Sequence, residues 1–354
     1  MKILIIKTSS LGDIIQTFPV VDYLTQTIPN CEIDWVVEKS FLDLVTAHPK
    51  INEVQVIDSK KWRSMWLQKD TWKEINTFRQ SLRKKTYDLV LDLQGNIKSG
   101  LVTACVKGLR KVGFARKTIP EWPNLLFTNE KYNPPKGKNI REDYLYLAQS
   151  SLNIFNSIFE RKNKLKLNDH ESKKLKINLG IVEKTNVKKV MICPGSMWKN
   201  KQLNEESWEQ FLKLLSEKEN VHYFFSWGNQ QEKMIVVGLA NKFLSHSTIL
   251  EKQSIPFLQN MMFEMDLILT MDSLPLHLAG TTPTPTYSVF GSSLANKYKP
   301  LGNVQRAYQG TCPYKKKFEK RCAILRTCST GACMKNLKGD ELFHDFYGWW
   351  KNLR

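Results

Sequence analysis

The chain has 354 residues, 42% of them hydrophobic and 25% charged, the mix of a globular protein of about two domains. Its formal net charge of +19 makes an anionic partner the first functional question. No apolar run approaches the roughly 18 residues of a membrane span, and the greasy stretch between Met1 and Lys7 is too short for a secretory signal. Secreted and membrane-spanning classes are therefore set aside, and a cytoplasmic protein is expected.

In chain order, Lys2-Ile3-Leu4-Ile5-Ile6-Lys7 reads as a buried strand. Thr8-Ser9-Ser10-Leu11-Gly12-Asp13 follows, then apolar residues at helical spacing (Ile14, Ile15, Phe18, Val21, Leu24). Further strands are expected at 33–37 and 54–57, with a helical stretch near 40–47 between them. Residues 60–85 set nine basic side chains against Asp70 and Glu74. Trp62, Met65, Trp66, Trp72, Ile75, Phe78 and Leu82 interleave with them at spacings that put most on one face of a helix or helix pair. Two readings stand: a core-facing helix with a wet basic back, or a surface resting among lipid headgroups. A strand at 89–93 and the turn Gln94-Gly95-Asn96 complete this series.

Residues 160–189 are polar and lysine-rich and read as the connection between domains. Strands are then expected at 190–193, 222–226, 267–270 and 286–290, with helices between. The tail from Glu341, with Phe343, Phe346, Tyr347, Trp349 and Trp350, has the pattern of a docking amphipathic helix. Alternating strands and helices imply an α/β fold of two doubly wound, Rossmann-like halves. The expected divisions are 1–165, a linker at 166–189, 190–338, and a terminal helix at 339–354. Charge is unevenly spread: residues 101–200 carry a net +12 and 301–354 a net +7, while 201–300 carry −2. Basic segments flanking a neutral half suggest an acidic ligand bound mainly from one side. No zinc-finger spacing, RNP-like motif or leucine zipper supports a specific nucleic-acid module.

In doubly wound sheets, ligands bind in the loops beyond the carboxyl ends of the strands, and four such loops stand out. In Ser9-Ser10-Leu11-Gly12-Asp13, Gly12 permits close backbone approach and Asp13 sits in the first helical turn. There it either accepts a proton or simply caps the helix. Pro194-Gly195-Ser196-Met197-Trp198-Lys199-Asn200-Lys201 makes a phosphate cradle of N–H groups and one cation, without being a P-loop. Asp272-Ser273-Leu274-Pro275-Leu276-His277 either presents N–H groups and a histidine to a diphosphate or is a capped helix with a packed histidine. Ser226-Trp227-Gly228, with Glu232 beyond it, offers a carboxylate to ribose hydroxyls.

Together these pieces resemble glycosyltransferase family 9, the lipopolysaccharide heptosyltransferases. The resemblance rests on Lys7-x-Ser9-Ser10-Leu11-Gly12-Asp13-Ile14 with Phe18-Pro19, and on Tyr87-Asp88-Leu89-Val90 with Asp92-Leu93-Gln94-Gly95-Asn96 and Lys98-Ser99. It continues through Pro194-Gly195-Ser196 with Lys201, Trp227-Gly228 with Glu232, and Asp272-Ser273 with His277, all in the family's order. Lys60-Lys61-Trp62-Arg63 and Trp66 look like the basic-aromatic segment of the type I enzymes. The resemblance implies a GT-B architecture, two Rossmann-like domains facing a cleft, with the acceptor on the first and the nucleotide-sugar on the second. It implies inverting transfer of a heptose from ADP-heptose to a Kdo sugar of the lipid A core, with Asp13 as general base. The donor would be held by Ser196, Met197, Lys201, Glu232, Asp272, Ser273, Leu274 and His277. The acceptor would be held by Ser10, Gly12, Lys60, Lys61, Arg63, Lys98, Arg116 and Lys117. Three departures accompany it: Gln202-Leu203-Asn204 stands where the family has Trp-Pro, Leu274-Pro275 replaces a glycine, and Pro120 falls where type I enzymes carry an arginine. Arg116 and Lys117 are near enough to substitute for that arginine.

Seven cysteines in a cytoplasmic chain are expected to be reduced. Cys312, Cys322, Cys328 and Cys333 are separated by 9, 5 and 4 residues, with no Cys-x-x-Cys pair. A zinc site with four cysteine ligands is one reading that this spacing does not diagnose; the expectation is a loop held by packing and reduced thiols, with no metal and no cofactor anywhere in the chain. The expected partners are the nucleotide-sugar, Kdo-lipid A and the anionic inner face of the cytoplasmic membrane, where the protein would be peripheral. The rival readings are another family 9 transferase, or a non-catalytic binder of anionic lipid or nucleic acid.

Overall fold

The computed structural model describes residues 1–155, 163–182 and 186–353. The chain forms two compact units, Met1–Lys166 and Leu167–Arg354. In the first, β1 (Lys2–Ile6), β2 (Glu32–Glu38), β3 (Glu53–Ile57), β4 (Thr86–Asp92), β5 (Lys107–Phe114) and β6 (Glu130–Tyr132) form one sheet in the order β3-β2-β1-β4-β5-β6. In the second, β7 (Lys188–Cys193), β8 (Val221–Phe225), β9 (Ser247–Ile249), β10 (Leu267–Met271), β11 (Thr286–Phe290) and β12 (Gln305–Gln309) run β9-β8-β7-β10-β11-β12. Counted within its own unit, each sheet has the order 3-2-1-4-5-6 of a dinucleotide-binding fold. Every pairing is parallel.

The central strands β1, β4, β7 and β10 are runs of Ile, Leu, Val and Met because helices cover both sheet faces. Their register aligns Ile6 with Asp92 and Thr270 with Cys193. The carboxyl ends of β1 and β4, and of β7 and β10, therefore lie side by side where strand order reverses, the crevice position of such sheets. Four strands fall outside the sequence expectation: β5, β6, β9 and β12. Three of them are sheet-edge strands of modest apolar content, and β5 carries Lys107, Arg110 and Lys111.

Part of the stretch expected as a bare linker is structured. Helix Asp169–Gly180 is capped by Asn168, whose side chain accepts from the Glu171 N–H at 2.8 Å, and Lys174 pairs with Glu251 at 2.5 Å. From Leu167 onward the segment belongs to the second unit; Lys162 and residues 183–185 lie outside the described residues. Helix Gly339–Lys351 buries Leu342, Phe343, Phe346 and Trp350 in its own unit's core beside Trp208, Phe211 and Tyr287. The Tyr287 hydroxyl bonds to Leu342 O at 3.1 Å and Asp345 Oδ2 at 3.0 Å, fixing that helix to β11.

The basic 60–85 region meets the core-facing reading in part. Helices Ser59–Ser64 and Lys69–Leu82 turn Trp62, Phe78 and Leu82 toward the first unit's core. The joint between them leaves Trp66 and Leu67 exposed at 60% and 77%, and the first turn of the second helix leaves Trp72 exposed at 59%. Among the described residues, no helix is long and apolar enough to cross a membrane.

Candidate active site

Because all strands of a unit run parallel, every loop singled out in the sequence leaves the carboxyl edge of its sheet. At the first switch point, Lys7 ends β1 buried, its Nζ donating to Leu93 O and to Tyr144 Oη, each at 2.9 Å. Burial lowers its pKa to about 8, partly opposed by the carboxylates of Asp13 and Asp92. The Gln94 Oε1 accepts from the N–H groups of Thr8 (3.1 Å) and Ser9 (3.2 Å), tying the β4 loop to the β1 loop.

Asp13 opens helix Leu11–Thr27 three residues after its N-cap, Ser10. Its Oδ2 accepts from the Ser10 N–H (3.1 Å) and hydroxyl (2.6 Å), leaving Oδ1 without a hydrogen-bond partner among the described residues. Capping and proton acceptance thus divide between the two oxygens of one half-buried carboxylate. Gly12 lies beside it in the same helical turn.

Asp92 anchors the neighbouring loop. Fully buried, it accepts from the N–H of Gln94 (3.0 Å) and Gly95 (2.9 Å), Ser99 Oγ (2.9 Å) and Asn124 Nδ2 (2.7 Å). Burial pushes its carboxyl pKa up, against the pull of these donors. Gly95 is in the left-handed region, φ +71°, with Pro120 so close that a Cβ would stand 2.7 Å from the proline ring. The Glu121 N–H donates to Gly95 O at 3.2 Å, which holds the turn bearing the exposed Arg116 and Lys117 against the β4 loop.

The other expected acceptor residues differ in how free they are. Lys98 pairs with Glu38 at 2.6 Å, and Glu38 also accepts from the Ser59 N–H at 3.1 Å. Lys61 is held by Glu74 at 2.5 Å, and Trp62 Nε1 donates to the same carboxylate at 3.2 Å. Lys60 and Arg63 are exposed. Lys61 and Trp62 line a groove of about 530 Å³ beside the edge strand β3, together with Lys39, Lys73 and Phe78.

At the second switch point, Lys201 and Asp272 form an ion pair at 2.5 Å, both residues buried. The loop after β7 turns at Gly195, where any Cβ would overlap the Glu232 carboxyl group. Glu232 Oε2 accepts from the Gly228 N–H at 2.7 Å, so the β7 and β8 loops share one carboxylate. Gln202 locks the cradle by donating to Ser196 O at 2.6 Å. Ser196 is buried and Met197 exposed. Ser273 precedes the short helix Leu274–Ala279, which carries the half-buried His277. Pro275 has no N–H, so Ser273 and Leu274 supply the first donors at that end.

Sequence reasoning did not assign Lys7, Glu38, Tyr144, Gln94 or Asp92 a role at the site. Lys7 offered one signal, a lysine closing a fully apolar strand.

Comparison with known proteins agrees in fold and sequence. The family model of glycosyltransferase family 9 (heptosyltransferase) matches residues 75–327. The lipopolysaccharide heptosyltransferase 1 of Campylobacter coli is 30% identical over 313 residues, 84% of this chain and 87% of that protein. The protein of that name from Escherichia coli O18:K1:H7 (strain RS218 / NMEC) is 27% identical over 292 residues, 82% and 86% of the two chains. Among solved structures, E. coli heptosyltransferase WaaC with ADP superposes with a TM-score of 0.76 at 23% identity, covering 99% of this chain and 100% of that one. The same enzyme with ADP-2-deoxy-2-fluoro heptose gives 0.72 at 23% identity, over 98% and 99%. The two parallel six-stranded sheets are of the GT-B type.

Proposed function

The chain belongs to glycosyltransferase family 9, and from that membership we propose that it moves a heptose from ADP-heptose to a Kdo hydroxyl of the lipopolysaccharide inner core, with inversion at the anomeric carbon. The observation that carries this reading is the open Oδ1 of Asp13 at one switch point, matched by the buried Lys201–Asp272 pair at the other. As the acceptor oxygen bonds to the anomeric carbon, Asp13 takes the hydroxyl proton and the bond to the diphosphate breaks on the opposite face. A carboxylate whose second oxygen is fixed by Ser10 pays little reorganisation to do so.

The departing diphosphate gains negative charge. Lys201 and the N–H groups of Ser196, Met197, Ser273 and Leu274 supply the compensating potential, so the reading places no metal or cofactor at the reacting centre. Asp272 orients Lys201 through their ion pair, Glu232 takes ribose hydroxyls, and His277 stands beside the diphosphate. Kdo carboxylates and lipid A phosphates suit Lys60, Arg63, Arg116 and Lys117, with Lys61 and Lys98 shared with their glutamates. Ser10 and Gly12 bring backbone close to the sugar. The exposed Trp66, Leu67 and Trp72, set among basic residues, suit an enzyme that meets a lipid-linked acceptor at the anionic inner face of the cytoplasmic membrane.

The test is incubation with ADP-heptose and Kdo-lipid A. A mass gain of one heptose with release of ADP is expected. Activity only with another nucleotide-sugar or another acceptor would reassign the substrate within the family, and binding without turnover would favour the non-catalytic reading.

A further inference from the structure

The chain between β12 and helix Ala332–Lys335 contains no helix or strand; its one ladder contact is an isolated bridge from Arg321 to Ser293. It carries Lys315, Lys316, Lys317, Lys320, Arg321 and Arg326 against a single acid, Glu319. Such a segment buries too little apolar surface to offset the entropy of fixing it. It is nonetheless folded onto the donor-side loops. The Cys322 N–H donates to Ser292 O at 2.8 Å and the Leu294 N–H to Lys320 O at 2.9 Å. The Asn200 amide donates to Leu325 O, and the Arg326 guanidinium lies 5.4 Å from the Trp198 ring centroid. A Cβ at Gly331 would stand 2.9 Å from Asn200 Cα. The segment therefore rests on Trp198 and Asn200, in the turn that presents Lys201.

Cys312, Cys322, Cys328 and Cys333, spread along this segment, all line one cavity of about 20 Å³. That is room for one water or one ion. Its wall also includes Ser292 and Asn200, and Ser292 Oγ and Asn200 Oδ1 are buried with no hydrogen-bond partner. Orphaned buried oxygens and four thiols around a space of atomic size are the marks of a missing guest.

We propose that these four cysteines form a tetrathiolate site for a single thiophilic transition-metal ion, of the zinc or iron class, which braces the turn carrying Lys201. Sulfur ligands select such ions over hard cations. A cation among four thiolates offsets their mutual repulsion, and metal binding would release the thiol protons. No three His, Cys, Asp or Glu side chains among the described residues already stand arranged to hold a metal. The proposed site therefore forms only when the four cysteines, which line one cavity, draw together on the ion. This site lies apart from the proposed reacting groups, and it replaces the expectation that packing alone holds the loop.

The full chain, produced without a metal-binding tag in medium containing zinc and iron, is analysed for bound metal and for thiol reactivity before and after chelation. About one equivalent of metal is expected, with four thiols becoming reactive only after chelator. Cys312→Ser and Cys333→Ser should each lose the metal, and Cys105→Ser should keep it. Nucleotide affinity, read with ADP alone, should fall severalfold in the chelated protein. Protein free of metal whose four thiols react equally with and without chelator overturns the site, as do disulfides among them or metal retained in both serine variants. If the variants do not fold, the wild-type metal and thiol measurements decide. Undiminished ADP affinity after metal loss would overturn the bracing role, and none of these outcomes depends on heptosyl transfer.

Discussion

The two switch points share a strand order and differ in how they keep charge. In the first unit, the buried Lys7 and Asp92 are held separately, each satisfied by neutral partners: Leu93 O and Tyr144 for the lysine, N–H groups, Ser99 and Asn124 for the aspartate. In the second, lysine and aspartate are pressed together as Lys201–Asp272. The hydrogen bonds that hold Lys7 and Asp92 leave Asp13 out, and it keeps one oxygen open. A direct ion pair keeps a cation poised yet shareable with an arriving anion. On the proposed reading, one strand order serves a proton acceptor in the first unit and a counterion in the second, and the difference is made in the loops rather than in the sheets.

The comparison is broken most severely at Asp13. Asp13→Asn should lower kcat by about 10²–10⁴ while leaving ADP affinity and the urea midpoint unchanged, because a carboxamide still caps the helix. Turnover within a few-fold of wild type would leave Asp13 a cap and nothing more.

Next in size is Lys201→Met, which strands Asp272 as an unpaired buried charge and should cost about 3–5 kcal/mol in urea unfolding. Adding Asp272→Leu should restore most of that stability but not nucleotide binding, which separates the structural from the functional share of the pair. Equal recovery of both would sink the shared-cation idea.

A smaller effect marks the first unit alone. His48, buried against Phe18 with ring centroids 4.7 Å apart, has its pKa lowered to about 3, first by burial and then by Lys166 and Lys50. The unfolded chain takes up that proton near its ordinary value, so the contribution is fully present above about pH 6.5 and is lost as pH falls toward 3. The slope should approach 1.4 kcal/mol per pH unit, roughly 2 kcal/mol between pH 7 and pH 5. In His48→Gln that part of the slope should vanish. An unchanged acid profile would place the sensitivity elsewhere.

The smallest expected effect is at the exposed base of the first unit. Lys60→Glu with Arg63→Glu should raise KM for a lipid-linked acceptor a few-fold and leave ADP affinity alone. Binding to anionic vesicles should weaken by about 1 kcal/mol per residue and fall with salt. Lys61 is omitted because Glu74 already holds it. Equal binding to neutral and anionic vesicles would count against a membrane role.

Where the sequence was legible, the reason was local. Lys2–Ile6 and Leu267–Met271 are apolar runs bounded by turn residues, and strands with both faces covered have that composition. Lys107–Phe114 does not, because part of it is exposed and it carries charged side chains. At the site, Asp13, Lys201 and Asp272 were visible as strand-end residues, but their pairings were not. Lys201 meets Asp272 across 71 positions and Lys7 meets Tyr144 across 137, separations that no local pattern encodes. The availability of Lys61 and Lys98 was hidden for the same reason, since Glu74 and Glu38 come to them through the fold.

Helix Gly339–Lys351 has a consequence in the order of synthesis. The first unit can close once residue 166 has been made, because helices Leu11–Thr27 and Ile140–Leu152 already pack together. The second cannot: Phe211 packs tilted and Tyr287 edge-on against Phe346, with the Tyr287 and Phe346 ring centroids 5.4 Å apart, and Trp350 stacks on Phe346 to complete the layer. On the ribosome, a chain made only as far as β12 would carry one finished half and one with its aromatic floor open, a nascent form prone to association until helix Gly339–Lys351 emerges.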